Sequence, residues 1–386
     1  MENEAAGHVG QEGNTMPQIH VMIKPVSGLC NMRCRYCFYA DEMEKREQAS
    51  YGIMSIETLE CVIREIFSFA QEGCTIAFQG GEPTLAGLDF YRQCLELEKK
   101  YNTKNITVSH ALQTNGYALD GQWYSFFARN RFLIGLSIDG IKATHDAYRK
   151  DVHGQDTYFH VLEKARELDR AGVEFNILTV VNGKTAPAIR KIYEKYRKLG
   201  FSWQQYIACL DPIYEKPGQQ EYSLTPQMYG RFLIELFELW DLDLRQGKQP
   251  YIRQFENYIG ILLGHLPESC EQRGICSFQN IVEADGSVYP CDFYVLDGYC
   301  LGNLKEDGFA EIERKRKEKR FVESSVNHTD KCRTCPYFAV CRGGCRRHRE
   351  QPGKEAGENY FCESYRMFFD ACLPRMKEIA ACLRRF

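Results

Sequence analysis

Residues 28–38 read Gly-Leu-Cys-Asn-Met-Arg-Cys-Arg-Tyr-Cys-Phe and directly follow the first apolar run of the chain. The cysteines of this stretch, Cys30, Cys34 and Cys37, have Cys-x3-Cys-x2-Cys spacing. Three thiolates this close together can hold three irons of a four-iron-four-sulfur cluster and leave the fourth iron open. Structural zinc sites instead close with four ligands, usually in Cys-x2-Cys pairs, and no fourth ligand is nearby. The spacing therefore predicts a cluster with an open coordination position.

Short apolar runs alternate with helical patterns over the first two thirds of the chain. The runs predict strands at 19–23, 75–79, 107–112, 132–137, 175–180 and 203–207. The helical patterns fall at 55–71, 88–101, 122–130, 157–171, 188–199 and 226–245, the last with Thr225 as N-cap and Pro226 in its first turn. Such alternation indicates an α/β fold with parallel strands, either an open doubly wound sheet or a full or partial barrel. The pattern alone leaves both topologies open.

Length and charge narrow the class of protein. At 386 residues and 44.7 kDa the chain predicts one large core plus a smaller appended module. A net charge of -3 and a pI of about 6.3 give no general attraction to nucleic acid or to an anionic membrane. No segment reaches 18 consecutive apolar residues, and the polar N-terminus lacks the pattern of a signal peptide. We therefore expect a cytoplasmic protein that binds neither nucleic acid nor membrane.

Cysteine content is unusual, because eleven of the 18 cysteines lie at or after Cys270. Without a signal peptide, metal ligation explains them better than disulfides. Eight have the spacings Cys270-x5-Cys276-x14-Cys291 and Cys332-x2-Cys335-x5-Cys341-x3-Cys345-x16-Cys362, enough for two fully ligated clusters. Spacing alone would join Cys332, Cys335, Cys341 and Cys345 in one site, such as a zinc ribbon. The other seven cysteines are expected to be mostly buried apolar side chains.

The first cysteine motif, with Tyr36 before its last cysteine, resembles the signature of the radical S-adenosylmethionine (SAM) superfamily. Gln79-Gly-Gly-Glu-Pro-Thr84, which follows the second predicted strand, resembles the Gly-Gly-Glu motif of that family. The resemblance implies a partial (β/α)6 TIM-like barrel in which SAM chelates the open iron and is cleaved to a 5′-deoxyadenosyl radical. It also implies the following SAM contacts: Tyr36, Gly81, Glu82, Ser137, Asp139, Arg149 and Leu210.

The C-terminal cysteines resemble the SPASM module of peptide-modifying radical SAM enzymes. That resemblance implies a first auxiliary cluster held by Cys270, Cys276, Cys291 and Cys345. It implies a second auxiliary cluster held by Cys332, Cys335, Cys341 and Cys362. We accordingly divide the chain into a disordered extension (1–15), a radical SAM partial barrel (16–250) and a SPASM domain with a C-terminal helix (251–386). The resemblance thus implies three 4Fe-4S clusters and SAM as cofactors.

From about Met16 onward the chain resembles the anaerobic sulfatase-maturating enzymes, on the segments 51–54, 78–87, 209–215 and 285–296. Members of that family convert a cysteine or serine in a Cys/Ser-x-Pro-x-Arg sequence to Cα-formylglycine. The resemblance implies that Asp292 is the catalytic base and that Tyr39 and Gln79 face the substrate. Without it, an aspartate in this loop would be interpreted as a turn or capping residue.

The resemblance also implies partners. These are an unfolded or nascent sulfatase polypeptide as substrate and an electron donor such as a flavodoxin or ferredoxin, with the enzyme acting as a monomer. Two alternatives remain open at this point. One is another SPASM enzyme, such as a thioether maturase, although no leader-binding domain is predicted before the first strand. The other is a zinc-binding interaction module, which the open cysteine triad and the near-neutral charge disfavour.

Overall fold

The computed structural model describes residues 19–350 and 357–384, so the predicted extension at 1–15 lies outside the described residues. Within these ranges the strands form one ten-stranded sheet of order β10-β9-β8-β1-β2-β3-β4-β5-β6-β7. Its centre is formed by six consecutive strands: β1 (Ile19–Ile23), β2 (Gly73–Phe78), β3 (Thr107–Thr114), β4 (Leu133–Ser137), β5 (Phe175–Val181) and β6 (Trp203–Ala208). Each pairs in parallel with the next.

Every central strand is followed by one or two helices. These are α1 (Phe38–Glu44), α2 (Ile56–Phe69), α3 (Leu88–Tyr101), α4 (Gly121–Asn130), α5 (Lys142–Tyr148), α6 (Tyr158–Arg170), α7 (Ile189–Leu199) and α8 (Pro226–Arg245). The predicted alternation of strands and helices, and with it the six-strand partial barrel, is confirmed. Because parallel strands end at the same edge, the loops after β1 to β6 meet on one side of the molecule.

Local sequence explains the helix positions. In α2, Ser55 caps the first turn by accepting a hydrogen bond from the Thr58 amide at 3.2 Å. The buried face of α2 recurs at helical spacing with Leu59, Val62, Ile63 and Ile66. Thr225 caps α8 in the same way, accepting from the Met228 amide at 3.3 Å. The predicted bounds of α8, 226–245, are those of the structure.

The C-terminal third supplies strands to both edges of the parallel array. Its elements are β7 (Tyr251–Ile252), α9 (Arg253–Leu263), α10 (Cys270–Arg273), β8 (Asn280–Val282), β9 (Ser287–Tyr289), β10 (Gly302–Asn303), α11 (Phe309–Lys319), α12 (Asp330–Arg333), α13 (Phe338–Cys341), α14 (Arg346–Arg349) and α15 (Cys362–Leu383). β8 runs parallel to β1, with Val21 opposite Asn280, and β7 pairs with β6. The sheet therefore continues across the predicted domain boundary between residues 250 and 251. That boundary stays a prediction. No helix in the described ranges is both long and apolar enough to cross a membrane.

Two short helices at the loop-bearing edge were not predicted. The first, α1, begins at Phe38, directly after Cys37, and the second, α5, ends at Tyr148, directly before Arg149. Each has seven residues, too few for a helical pattern to stand out. The same short length hid β7, β8, β9 and β10, which have two or three residues each. These unpredicted pieces carry or flank much of the candidate site.

Candidate active site

The cysteine loop after β1 is fixed against the end of α5. The Arg33 amide donates to the Lys150 carbonyl at 2.8 Å, and the Arg35 amide donates to the Tyr148 carbonyl at 3.0 Å. A second contact comes from the loop after β2, where the Glu82 amide donates to the Leu29 carbonyl at 2.8 Å. The loop therefore has a defined shape before any cofactor is considered.

The predicted cluster ligands Cys30, Cys34 and Cys37 are brought together by this loop. Burial foremost, together with the neighbouring thiolates, raises the pKa of the Cys30 thiol to about 11 and that of the Cys34 thiol to about 12. Arg149 acts in the opposite direction on both thiols. Three desolvated thiols beside a cation form a donor set suited to iron, which binds thiolates. The site fits the cluster that the spacing predicts.

Paired glycines allow the loop after β2 to approach the cysteine loop closely. Gly81 has φ of +58°, and a Cβ atom there would lie 2.1 Å from the Leu29 carbonyl oxygen. Any larger residue would push the two loops apart, so glycine is required by the contact itself. Main-chain groups of the two loops therefore lie near the cysteine triad, at the ends of parallel strands where ligands usually bind.

Glu82 connects the ends of β2 and β3. Its buried carboxylate accepts hydrogen bonds from the Thr84 amide at 3.1 Å, the Thr84 hydroxyl at 2.7 Å, the Thr114 hydroxyl at 2.8 Å and the Asn115 amide at 2.8 Å. Both carboxylate oxygens thus have partners within the chain. A SAM contact by Glu82 stays a prediction, whereas its bridging of the two loops is a structural fact.

The other predicted SAM contacts lie around the mouth of the strands. The Tyr36 hydroxyl donates a hydrogen bond to the Asp139 carboxylate. Arg149 Nη1 in turn donates a hydrogen bond to the Tyr36 oxygen at 3.1 Å. The Nε atom of Arg149 is buried and has no hydrogen-bond partner among the described residues. Ser137, at the end of β4, accepts from Gln113 Nε2 at 3.1 Å. Arg149 is the member of this group with an unused donor for an anionic ligand.

Leu210 lies in the loop after β6, directly after Cys209, whose thiol pKa is raised by burial and also by Asp139. It is half-buried and borders a small cleft together with Arg347 and Tyr360. The adjoining Asp211 carbonyl accepts from Arg347 Nη2 at 2.7 Å, which ties the loop to the C-terminal region. Leu210 thus stands where the loop after β6 meets that region.

Tyr39, Gln79 and Asp292, which were predicted as substrate contacts and base, form one hydrogen-bonded group. The Tyr39 hydroxyl donates to Asp292 Oδ2 at 2.7 Å. Gln79 Nε2 lies 2.9 Å from the same oxygen and 2.8 Å from the Tyr39 oxygen. Asp292 Oδ1 is buried and makes no hydrogen bond within the described part of the chain. One carboxylate oxygen is therefore held in place while the other is unused.

A buried set of charged residues beneath this group was missed by the sequence analysis. Lys24 Nζ lies 3.3 Å from Glu283, 3.9 Å from Glu42 and 4.9 Å from the centre of the Tyr39 ring. Burial raises the pKa of the Asp292 carboxyl, and Lys24 acts in the opposite direction. A lysine directly after an apolar strand was an available signal, because charged residues at strand ends often serve the site. Its partners come from distant parts of the sequence.

The eight C-terminal cysteines fall into two groups. Burial raises the pKa of the Cys291 thiol, and Cys345, Cys276 and Cys270 raise it further, so these four thiols are neighbours. In the second group, burial foremost and the neighbouring Cys362, Cys332 and Cys335 together raise the pKa of the Cys341 thiol to about 12. Cys345 therefore lies with the first group, as the resemblance implies and unlike the grouping that spacing alone suggests. Each group supplies the four thiols that a closed cluster needs.

The remaining seven cysteines are mixed in burial. Cys74, Cys94, Cys209 and Cys372 are buried, Cys61 and Cys300 are half-buried, and Cys382 is exposed. The expectation that most are buried is confirmed by those four. Across residues 19–350 and 357–384, no group of three or more histidine, cysteine or acidic side chains is arranged to hold a single metal ion.

Comparisons with known proteins agree with this geometry. A family model described as the radical SAM superfamily matches residues 25–196, and one described as an iron-sulfur cluster-binding domain, SPASM, matches residues 274–336. The chain is 44% identical to a cysteine-type anaerobic sulfatase-maturating enzyme of Clostridium novyi (strain NT), over 95% of this chain and 99% of the relative. It is 30% identical to a serine-type enzyme of Bacteroides thetaiotaomicron, over 93% of this chain and 90% of that one.

A solved structure supports the same family assignment. Native anSMEcpe with bound AdoMet and Kp18Cys peptide superposes with a TM-score of 0.90 at 42% identity, covering 95% of this chain and 99% of that one. The match extends over the barrel and the cysteine-rich region together. This chain belongs to the anaerobic sulfatase-maturating enzymes of the radical SAM superfamily.

Proposed function

We propose that this enzyme oxidises the cysteine of a sulfatase Cys-x-Pro-x-Arg sequence to Cα-formylglycine, with Asp292 as the base. The observation that carries the proposal is the Asp292 carboxylate, whose Oδ2 is held by Tyr39 and Gln79 while its buried Oδ1 has no partner among the described residues. A cysteine target is favoured because the cysteine-type relative is 44% identical and the serine-type relative 30%.

The cofactors of the enzyme are SAM and three 4Fe-4S clusters. We assign the SAM-cleaving cluster to Cys30, Cys34 and Cys37. The first auxiliary cluster is assigned to Cys270, Cys276, Cys291 and Cys345, and the second to Cys332, Cys335, Cys341 and Cys362. When bound, the SAM-cleaving cluster and SAM supply the radical that removes a hydrogen atom from the β-carbon of the target residue. Residues proposed to contact SAM are Tyr36, Gly81, Glu82, Ser137, Arg149 and Leu210.

Asp292 is suited to accept the thiol proton of the target. General-base catalysis requires an acceptor held within hydrogen-bond reach of the proton it removes. Tyr39 and Gln79 fix the carboxylate through Oδ2, which leaves Oδ1 as the atom that takes the proton. Loss of the β-hydrogen atom, the thiol proton and one further electron, which the auxiliary clusters would accept when bound, converts the side chain to a thioaldehyde. Water then displaces hydrogen sulfide and leaves the aldehyde.

Tyr39 and Gln79 are proposed to line the substrate position beside Asp292. Both carry polar atoms on the strand-end side of the barrel, and both are already oriented by contacts with the carboxylate. The Tyr39 ring also packs against the Phe38 ring, with ring centres 4.1 Å apart and an interplanar angle of 39°, which limits its motion. A base with fixed neighbours is pre-organised for proton transfer.

We also propose an electron donor, a substrate state and an oligomeric state for the enzyme. A flavodoxin or ferredoxin supplies the electron that SAM cleavage consumes, the substrate is an unfolded or nascent sulfatase, and the enzyme acts as a monomer in the cytoplasm. The first follows from the chemistry of the superfamily, in which cleavage of SAM is reductive. The second follows from the location of the target, since a side chain must leave its own fold to enter a barrel.

The test is an anaerobic assay with paired peptides. The protein is reconstituted with iron and sulfide, then incubated with SAM, a reductant and peptides that contain Cys-x-Pro-x-Arg, Ser-x-Pro-x-Arg or Ala-x-Pro-x-Arg. We expect mass spectrometry to detect an aldehyde on the cysteine peptide, less on the serine peptide and none on the alanine control. 5′-Deoxyadenosine without aldehyde on any peptide would contradict the sulfatase assignment and favour a different peptide substrate.

A further inference from the structure

Arg349 is a buried arginine between the two groups of C-terminal cysteines. It ends α14, the short helix that begins directly after Cys345, and is 3% exposed. Its guanidinium is held by main-chain oxygens, with Nη2 donating to the Ser325 carbonyl at 2.5 Å and Nη1 donating to the Asn327 carbonyl at 3.3 Å. These contacts fix the position of the group but do not neutralise its charge.

A further hydrogen-bond partner of Arg349, His328, is also uncharged. Nη1 lies 3.2 Å from His328 Nδ1, and burial together with Arg349 lowers the pKa of His328 to about 4. The histidine is therefore neutral at pH 7 and accepts the hydrogen bond. No ion pair joins Arg349 to a carboxylate in the described part of the chain, whereas its neighbour Arg346 pairs with Glu350 at 2.6 Å. A buried charge without a counter-ion costs several kcal/mol, so a compensating anion is expected close by.

One hydrogen-bond donor of Arg349 has no acceptor within the described chain. Its Nε atom is buried and without a hydrogen-bond partner among residues 19–350 and 357–384. Burial lowers the pKa of the Arg349 guanidinium, and the negative charges of the Cys345, Cys276 and Cys332 thiolates and of the Glu350 carboxylate act in the opposite direction. Cys276 is also linked to Arg349 through Ser325, whose hydroxyl accepts from the Cys276 amide at 2.9 Å. The unused N–H thus belongs to a buried cation that lies near thiols of both cysteine groups.

We propose that Arg349 donates an N–H···S hydrogen bond to the first auxiliary cluster and raises its reduction potential. The inference rests on the cluster ligands assigned under the proposed function. Reduction adds negative charge to a cluster, so a nearby cation and hydrogen-bond donor stabilise the reduced form more than the oxidised form. Arg349 acts through the cluster and is therefore a tuning residue; it does not touch the substrate.

The test is a redox titration of the full-length, three-cluster enzyme, monitored by electron paramagnetic resonance. The variants are Arg349→Gln, which removes the charge, and Arg349→Lys, which keeps the charge but loses the planar fork of donors. The control is Arg316→Gln, because Arg316 is equally buried but lies on α11 beside Glu313 and Asn280. Repeating the titration on the Cys34→Ala background removes the signal of the SAM-cleaving cluster.

We expect Arg349→Gln to weaken reduction of the first auxiliary cluster at least tenfold, a fall of about 59 mV for a one-electron couple. Arg349→Lys should recover part of this shift, and Arg316→Gln should cause none. An unchanged potential in Arg349→Gln with three clusters bound would overturn the proposal. Loss of the first auxiliary cluster in both Arg349 variants would also overturn it, because Arg349 would then hold the loop rather than tune the cluster. Iron and sulfide contents below three clusters in the unmodified enzyme would instead contradict the ligand assignment.

Discussion

The hydroxyl of Tyr39 lies 2.7 Å from Asp292 Oδ2, which joins a residue of α1 to one 253 positions later in the chain. Both residues follow a cysteine of a proposed cluster site closely, Tyr39 two positions after Cys37 and Asp292 directly after Cys291. The hydrogen bond therefore connects the loop of the SAM-cleaving cluster with the loop of the first auxiliary cluster.

Asp292→Asn removes the proposed base with little change in shape. We expect aldehyde formation on the cysteine peptide to fall by roughly 10²–10⁴-fold, the usual contribution of a general base. 5′-Deoxyadenosine should still be produced, because the substitution leaves the first cysteine loop intact. Asp297→Asn, at an exposed aspartate five residues later, is the matched control and should retain both products. Full aldehyde formation by Asp292→Asn would remove Asp292 from the mechanism.

Tyr39→Phe tests the hydrogen-bond donor that holds the proposed base, Asp292. The ring would keep its packing on Phe38 and its position near Lys24, while the hydrogen bond to Asp292 Oδ2 would be lost. A hydrogen bond to a charged group contributes about 1.5–3 kcal/mol, so we expect aldehyde formation to fall by about tenfold or more. The quantities to measure are kcat and KM for the cysteine peptide. Tyr101→Phe, which removes a hydroxyl bonded to Glu60 on a different face, should leave both constants unchanged.

The sequence predicts the barrel well because its signal is local. Six apolar runs alternate with amphipathic helices, and each element carries its own periodicity, so the bounds of α3 and α8 coincide with those predicted. The cysteine triad is local as well, since its three members lie within one loop. Spacing does not reveal the neighbours of Cys345, because a chain that folds back can place its thiol close to that of the distant Cys270.

The charged residues beneath Asp292 could not be predicted for the same reason. Glu283 Oε1 lies 2.8 Å from Arg46 and 3.3 Å from Lys24, and these partners are more than 200 positions away in the sequence. Only the parallel pairing of β1 with β8 brings them together. Since β8 has three residues, no periodic pattern marks it as a strand. Long-range ion pairs that depend on short strands are thus visible only in the folded chain.

Glu82→Gln tests whether the buried carboxylate connects the two loops. Four donors point at its oxygens, and a glutamine would turn one acceptor into a donor that faces other donors. An unsatisfied buried polar group costs about 1–3 kcal/mol, so we expect the free energy of unfolding to fall by that amount. Urea unfolding followed by tryptophan fluorescence measures it, and SAM binding should weaken in the same variant. Glu163→Gln, at an exposed glutamate on α6, should change neither quantity.

Paired cysteine substitutions test the crossed grouping of Cys345, with anaerobic iron and sulfide analysis as the measurement. If Cys345 belongs with Cys276, the double variant Cys276→Ala/Cys345→Ala should lose one cluster, whereas Cys341→Ala/Cys345→Ala should lose two because it removes a ligand from each. The grouping suggested by spacing predicts the reverse, since Cys341 and Cys345 would then share a site. Cys94→Ala/Cys372→Ala replaces two buried cysteines outside both groups and should retain all three clusters. The two double variants therefore give opposite iron contents under the two groupings, so one comparison decides between them.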